Sequence, residues 1–544
     1  MTEALECQLL VIGGGSTGAG VAWDAALRGF RVILADRGDL ATGTTGRFHG
    51  LLHSGGRYVV RDPGGARECA RENRILRRVI PAAIEDTGGL FVTTPLDDLE
   101  YADRFLAACP AAEVEVEEIP AGEALRREPR LNPRIRRAFA VPDASIDSWK
   151  LVWGCARGAE QHRARILPYH PVTALIRDAD RVTGARLRDL DSGDEVEVRA
   201  ECVVNAAGAW SGQIARLAGC EVGVRPGKGV MVAINHRLVD RVVNRCHLTG
   251  DGDIVVPSHS VSVIGTTDTP VDDPDHIEDT AAEVAAMLEA GDVLIPGFSR
   301  ARALRVWTGA RPLLPKSETA GDREISRSHT VLRHRERDGV AGLISIAGGK
   351  LTTFRLMARD TVDAVCAELG VERACTTGET PIPAGDERRY YRLPDHQAEF
   401  ERGHAGDPLI CECEMVSRSE LLAAAAQRPR SGIDDLRRVL RVGMGPCQGG
   451  FCAFRTAGLL HGAGMYDRAQ ADFTLRSFVQ ERWKGQRPVL WGQQLRQARL
   501  DQWIFQGVLD LEHLPAAREQ RRSRVKAGSG GDPVNGGAQL EAPA

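Results

Sequence analysis

The chain opens with a short apolar run, Gln8 to Ile12, that ends in a glycine turn, Gly13-Gly-Gly15-Ser-Thr-Gly18. An apolar run of this length closed by glycines predicts a buried strand. Small and apolar residues then predict a helix from Gly18 to Leu27. Arg28-Gly29-Phe30 breaks it before a second strand, Arg31 to Ala35, which ends at Asp36. Further on, helices are expected around 64–86 and 100–109. Short strands and turns follow over 165–204, with more strands at 229–235, 253–256 and 261–265. Residues 343–347 repeat the opening pattern, a buried strand running through Gly348-Gly349 into a helix from Leu351 to Leu369. The expectation is an α/β fold over 1–375: a Rossmann-like parallel sheet with an inserted antiparallel substrate segment.

Beyond it, residues 376–408 are rich in Pro, Gly and charge and predict a linker, and 409–460 form a small helical module with four cysteines. A helical segment over 461–513 carries Trp483, Trp491 and Trp503. The Gly/Pro/Ala-rich tail, 514–544, is expected to be disordered. No internal repeat is visible.

Charge and length narrow the function. A chain of 544 residues can bury several cores, and a net charge of -4 gives no basic field, so nucleic acid is not an expected partner. No apolar stretch approaches the roughly 20 residues that span a bilayer. The start, Met1-Thr-Glu-Ala-Leu-Glu, lacks the pattern of a signal peptide, so a reducing cytoplasm is the expected compartment. Of 70 cationic residues only six are lysines, so Lys228 and Lys350, both read as lying in Gly-rich turns, hint at places where a compact ammonium is required.

Two constellations carry chemistry. Gly13-x-Gly15-x-x-Gly18, set between strand and helix, lets backbone amides approach a pyrophosphate. Asp36, 18 residues after Gly18, can accept from a ribose hydroxyl. At the other end, Cys411-Glu-Cys413 is followed after 33 residues by Cys447-Gln-Gly-Gly-Phe-Cys452 in a Gly-rich turn. Four such thiols can converge on one metal centre. The other cysteines, such as Cys7, Cys155 and Cys202, are expected to be small core residues. A nucleotide at one end and a thiolate centre at the other suggest an electron path. The segments Val203-Val-Asn-Ala-Ala-Gly208-Ala-Trp210 and Gly348-Gly349-Lys350-Leu-Thr-Thr353 resemble the second and third contacts that flavoproteins make to FAD, which favours FAD over NAD.

The stretch Ala41-Thr-Gly-Thr-Thr-Gly46-Arg47-Phe-His49-Gly-Leu-Leu-His53-Ser-Gly-Gly-Arg57-Tyr58 resembles the FAD-dependent glycerol-3-phosphate dehydrogenases. So do Ile264-Gly-Thr-Thr-Asp268, Gly309-Ala-Arg311-Pro-Leu313, Ile325-Ser-Arg327 and Ala347-Gly-Gly-Lys350-Leu-Thr-Thr-Phe-Arg355. The thiol module and the tail Glu481-Arg-Trp-Lys-Gly485…Leu490-Trp-Gly-Gln-Gln narrow the resemblance to the A subunits of the anaerobic complexes.

That resemblance implies oxidation of sn-glycerol 3-phosphate to dihydroxyacetone phosphate, with electrons passing through an iron-sulfur centre towards the quinone pool. It implies FAD contacts at Gly13, Gly15, Gly18, Asp36, Thr44, Thr45, Val172, Ala207, Gly208, Gly349, Lys350, Leu351 and Thr352. Arg57, Tyr58, Arg311 and Arg327 would surround the substrate, and His53, Arg311 and Lys350 would be catalytic, with Lys350 beside the flavin ring. The chemistry is consistent: guanidinium forks suit a doubly charged phosphate, and an ammonium suits an anionic reduced flavin. His53 either takes the C2 hydroxyl proton or packs as a core histidine; His49 is a weaker candidate. The one-subunit respiratory relatives carry a histidine after the Lys-Gly turn, whereas Lys228-Gly-Val-Met231 has methionine.

The thiol module is similar to the ferredoxin-like domain of bacterioferritin-associated ferredoxin. This implies a [2Fe-2S] cluster on Cys411, Cys413, Cys447 and Cys452, with zinc as the alternative. The resemblance further implies two partners, one a second flavin-linked subunit, the other a membrane-anchored iron-sulfur subunit. It also implies a cytoplasmic protein held peripherally at the inner face of the plasma membrane. Rival readings keep the fold and change the substrate to an opine, hydroxyproline or a 2-hydroxyacid, or make the chain a redox-sensing or iron-handling module.

Overall fold

The opening apolar run forms the strand Leu5–Ile12, and Leu9 to Ile12 are all buried. In the computed structural model, which describes residues 4–314, 328–383, 393–403, 406–428 and 431–514, this strand lies inside an eight-stranded sheet. Its parallel neighbours are Val32–Ala35 and Glu195–Asn205. Ile12 stands beside both Ala35 and Asn205, and Asn205 in turn beside Ser345 of Leu343–Gly348. Four chain segments therefore leave the sheet at one edge, where ligands bind in such folds. The sheet is covered on both faces, which is why its inner strands read as unbroken apolar runs. Leu9, Val11 and Leu34 pack against the helices Ser16–Leu27, Ser148–Gln161 and Phe354–Leu369. Leu10, Ile12 and Ile33 face the opposite core with Leu175, Leu187 and Val203.

The inserted domain is a nine-stranded sheet drawn from two separate stretches, 89–141 and 225–313. Arg225–Ile234 and Ala303–Leu313 pair antiparallel along most of their length, from Arg225 with Leu313 to Ile234 with Ala303. The sheet is antiparallel as expected, except where Val242–Arg245 runs parallel to Gly89–Thr93. Lys228 therefore sits within a strand rather than in a turn; its ammonium is bound to the Glu278 carbonyl at 2.5 Å and the Glu283 carboxylate at 2.8 Å. The same kind of revision applies to 376–408. Ile382 is buried against Gly154, and Thr377 bonds Arg355, so the first residues of the expected linker belong to the core.

The C-terminal module packs onto this body through charge. Asp39, fully buried, accepts from Arg428 at 2.5 Å and from Arg438 at 2.9 Å, and Arg438 also bonds Asp434 at 2.8 Å and Asp435. Removing one partner from such a buried set costs several kcal/mol, so the module is locked rather than tethered. The helices Arg468–Gln486 and Gly492–Gln502 follow, and the chain continues through a π-helical turn, Trp503–Val508. Arg327 and the expected disordered tail from 515 lie outside the described residues.

Candidate active site and thiol centre

The glycine turn is built for close approach. Gly13 has φ of 108°, and a Cβ on Gly18 would stand 1.8 Å from the Gly13 carbonyl oxygen, so no side chain fits at either position. Asp36 accepts from the amides of Gly14 at 2.6 Å and Gly38 at 2.8 Å, which fixes its carboxylate beside the turn; burial pushes its pKa up against those two donors. Thr45 accepts from the Ser16 amide at 3.0 Å, and Thr44 donates to the Ala310 carbonyl at 2.5 Å, so the two threonines pin the following loop to helix and inserted sheet. The Ala207-Gly208 turn lies against Gly13, and Gly208, with φ of 58°, faces open space. Val172 opens its strand two residues after His170, whose amide donates to the Asp36 carbonyl at 2.7 Å.

An FAD fits this set. The donors converge at a helix N-terminus, and the buried indole N–H groups of Trp149, beside Gly46, and of Trp210, beside Gly43, have no acceptor among the described residues. Gly13, Gly15, Gly18, Asp36, Thr44, Thr45, Val172, Ala207 and Gly208 would border the nucleotide half.

Across the sheet edge, Gly348 and Gly349 both have φ near 80°, and a Cβ on Gly349 would meet the Met357 sulfur at 2.3 Å. This turn presents Lys350, whose ammonium lies 4.8 Å from the Tyr58 ring centroid. Leu351 and Thr352 follow in a 3-10 turn, and the His53 amide donates to the Thr352 hydroxyl at 3.1 Å. The His53 ring stands 5.4 Å from Tyr58 and 6.0 Å from His49. Thus His53, Tyr58, Lys350 and Thr352 come together: an imidazole, a phenol and an ammonium around one turn. Met231, in place of the relatives' histidine, is buried against Gly265 beside His49.

The arginines are more constrained than their motifs imply. Arg57 donates through Nη2 to both oxygens of Asp253, at 2.9 and 3.1 Å. Asp253 is buried, which would raise its pKa, but Arg57, His247 and the Gly250 amide hold it down at about 2. Arg311 donates to Asp268 at 2.9 Å, to the carbonyls of Lys228 at 3.1 Å and Thr267 at 2.8 Å, and to the Thr266 hydroxyl.

The four cysteines also meet. The sulfurs of Cys413 and Cys447 are 3.9 Å apart. Hydrogen bonds from Cys413, from Cys452 and from the Gly449 and Phe451 amides pull the Cys447 thiol well below its ordinary range, and a bond from Cys452 pulls Cys411 down too. Cys413 and Cys452, sharing those protons, are pushed up. Glycine makes the turn possible: a Cβ on Gly445 would stand 2.2 Å from the Cys413 Cβ. Four clustered thiols, two of them drawn down and with amide donors beside them, fit a metal or iron-sulfur group.

Residues 8–364 match the family of FAD dependent oxidoreductases. Over 532 residues the chain is 42% identical to the A subunit of the anaerobic glycerol-3-phosphate dehydrogenase of Escherichia coli (strain K12), covering 94% of this chain and 98% of that one. The chain belongs to this A-subunit family. It is also 40% identical over 541 residues to the A1 subunit of the Haloferax volcanii enzyme, covering 94% and 92% of the two. The glycerol-3-phosphate dehydrogenase from Bacillus halodurans complexed with FAD superposes with a TM-score of 0.56 at 22% identity, over 96% of this chain and 93% of that one. At that identity the likeness concerns the fold.

Asp253 and Asp268, the carboxylates that hold Arg57 and Arg311, are not among the site residues that the sequence of this A-subunit chain points to. Asp268 stands inside the motif Ile264-Gly-Thr-Thr-Asp268, the one signal that could have found it; Asp253 carries no such mark.

Proposed function

We propose that the chain oxidises sn-glycerol 3-phosphate to dihydroxyacetone phosphate with FAD. The observation that carries this reading is the convergence of His53, Tyr58 and Lys350 at the glycine turn that begins at Gly348, in a chain so similar to A subunits over its length. FAD, when bound, would supply the acceptor for the hydride from C2, which carries both electrons. His53 takes the C2 hydroxyl proton, held in place by Thr352 below and Tyr58 beside it. Lys350 would stand by the flavin ring, with Gly349, Leu351 and Thr352 forming the rest of that border. Arg57, Arg311 and Arg327 hold the phosphate. Arg57 spends only Nη2 on Asp253, and a guanidinium has five N–H donors, so it retains a fork for the phosphate.

The reading extends to the thiols. Cys411, Cys413, Cys447 and Cys452 would hold a [2Fe-2S] cluster. A tetrahedral zinc site at about 2.3 Å per Zn–S bond sets every sulfur pair about 3.8 Å apart. The Cys413–Cys447 spacing of 3.9 Å suits either group, and the electron-transfer use of a cluster in a flavoprotein favours two irons over one zinc. No helix among the described residues is long and apolar enough to cross a membrane. The route to the quinone pool then runs through two further subunits, one flavin-linked, the other an iron-sulfur protein anchored in the membrane. Docking to them would keep the chain at the inner face of the plasma membrane.

Purified protein should be yellow, and glycerol 3-phosphate should bleach the flavin without nicotinamide nucleotide. Cys447→Ser should lose the cluster absorbance, keep the bleaching and fail to reduce quinone through the partner subunits. Bleaching by proline or an opine, and not by glycerol 3-phosphate, would overturn the substrate.

A further inference from the structure

Cys220, His334 and Asp338 belong neither to the nucleotide turn nor to the thiol module, yet the Cys220 sulfur, a ring nitrogen of His334 and a carboxylate oxygen of Asp338 all lie within 4.8 Å of one another. Cys220 and His334 are buried, whereas the Asp338 side chain is 21% exposed, so the trio opens to solvent on one side. Each member is held from behind. The Cys220 amide donates to the Ala215 carbonyl at 3.1 Å, and Arg177 donates to the Ala218 carbonyl at 2.7 Å, which fixes the turn that ends the Ser211–Arg216 helix. His334 and Asp338 stand one helical turn apart in His334–Asp338, with the His334 Nδ1 hydrogen-bonded to the Asp338 carboxylate. On the far side of the ring Nε2 meets the Ser345 hydroxyl at 2.9 Å, and that hydroxyl accepts from the Asn205 amide at 3.1 Å.

A thiol, an imidazole and a carboxylate can make either a nucleophile or a metal site. Both ring nitrogens already have oxygen partners, so the imidazole is not placed to take the thiol proton, and burial pushes the Cys220 thiol up. A metal suits the trio better. All three are ordinary zinc ligands, and a thiolate with a carboxylate cancels the two charges of the ion, as a buried site requires. The ring nitrogen turned away from the site is hydrogen-bonded, the support that fixes a ligating imidazole. A tetrahedral ion with bonds of about 2.0 Å sets nitrogen and oxygen about 3.3 Å apart. Asp338 can swing out to that distance, because it stands at the exposed end of its helical turn, before Gly339 with φ of 71°.

We propose that Cys220, His334 and Asp338 bind a zinc ion, with water as the fourth ligand. Binding releases the thiol proton, and the imidazole proton that Asp338 accepts from Nδ1 moves to Nε2, where the Ser345 hydroxyl accepts it. The ion ties together two connections of the sheet. One is the segment that leaves Asn205 through the Ala207-Gly208 turn; the other lies between His329–Arg333 and Leu343–Gly348. Zinc therefore stabilises the folded chain, because it binds a site that exists only there.

The test uses the full holoenzyme, treated with a chelator, dialysed against micromolar zinc and then against metal-free buffer, with the retained zinc measured by elemental analysis. Wild type should keep one zinc per chain more than Cys220→Ser. Its melting temperature should rise on zinc addition, and that of Cys220→Ser should not. Asp338→Ala, at the exposed corner, tests the idea even if Cys220→Ser misfolds; it should keep the circular dichroism spectrum and weaken zinc binding about tenfold or more. Equal zinc in wild type, Cys220→Ser and Asp338→Ala would mark the ion as adventitious and overturn the proposal. So would an excess of zinc in wild type that Cys447→Ser removes and Cys220→Ser keeps, since that would seat the ion in the thiol turn.

Discussion

The amide of His53 donates to the hydroxyl of Thr352 at 3.1 Å, joining segments 299 positions apart in the chain. One segment carries the imidazole and Tyr58, the other Lys350. This bond sets where the imidazole stands relative to the ammonium. Thr352→Val keeps the shape and leaves a buried N–H without an acceptor, at about 1–3 kcal/mol. The expected outcome is kcat lowered about tenfold, KM within about threefold, FAD retained and most activity restored in Thr352→Ser. A KM rise with unchanged kcat would assign the pair to substrate binding.

Gly18→Ala should abolish flavin binding. Its Cβ would meet the Gly13 carbonyl at 1.8 Å, which only a displaced glycine turn can relieve. Colourless but folded protein, seen as an unchanged far-ultraviolet circular dichroism spectrum, is the expected result.

Arg311 has a structural bond to Asp268 as well as its proposed substrate role. The Asp268 side chain is 5% exposed, so Arg311→Met removes the guanidinium bonded to a buried carboxylate, at about 3–5 kcal/mol. Adding Asp268→Asn should return most of the melting temperature but leave KM for glycerol 3-phosphate about ten- to a hundredfold high. Recovery of KM along with stability would remove Arg311 from the phosphate site.

Asp253 gives a pH signature. Its folded pKa of about 2 lies below the unfolded value of about 3.9, so its stabilisation is complete above about pH 4 and lost as pH falls through about 2. The difference corresponds to about 2–3 kcal/mol. Asp253→Asn should therefore be less stable at neutral pH and lose less stability than wild type between about pH 4 and 2. Parallel denaturation curves across that window would show that Arg57 and His247 do not hold the carboxylate down.

What the sequence made legible was local. The Gly13 turn, Asp36, the Gly348-Gly349-Lys350 turn and the cysteine pairs announce themselves because a tight backbone needs glycine and a metal needs thiols within a few residues of one another. Pairings made by the inserted sheet left no such trace. Arg57 meets Asp253 across 196 positions, and nothing in either neighbourhood signals the other. Lys228 looks like a turn lysine because glycines flank it, yet ten strand residues run through it, fixed by pairing with Ala303–Leu313. Residues 376–383 look like linker by composition, while Ile382 alone is enough to seat them in the core.

The strand Ala303–Leu313 has one further consequence. Immediately before it, Arg302 donates to the Pro446 carbonyl at 2.7 Å, next to Cys447; near its other end stands Arg311. Nine steps of strand at about 3.3 Å make a span of about 30 Å. The proposed substrate pocket and the thiol turn are mounted on a single girder, so the gap that electrons would cross on the proposed path is fixed when the chain folds. The chain is geared like a fixed axle, with no swinging arm whose travel would set the pace.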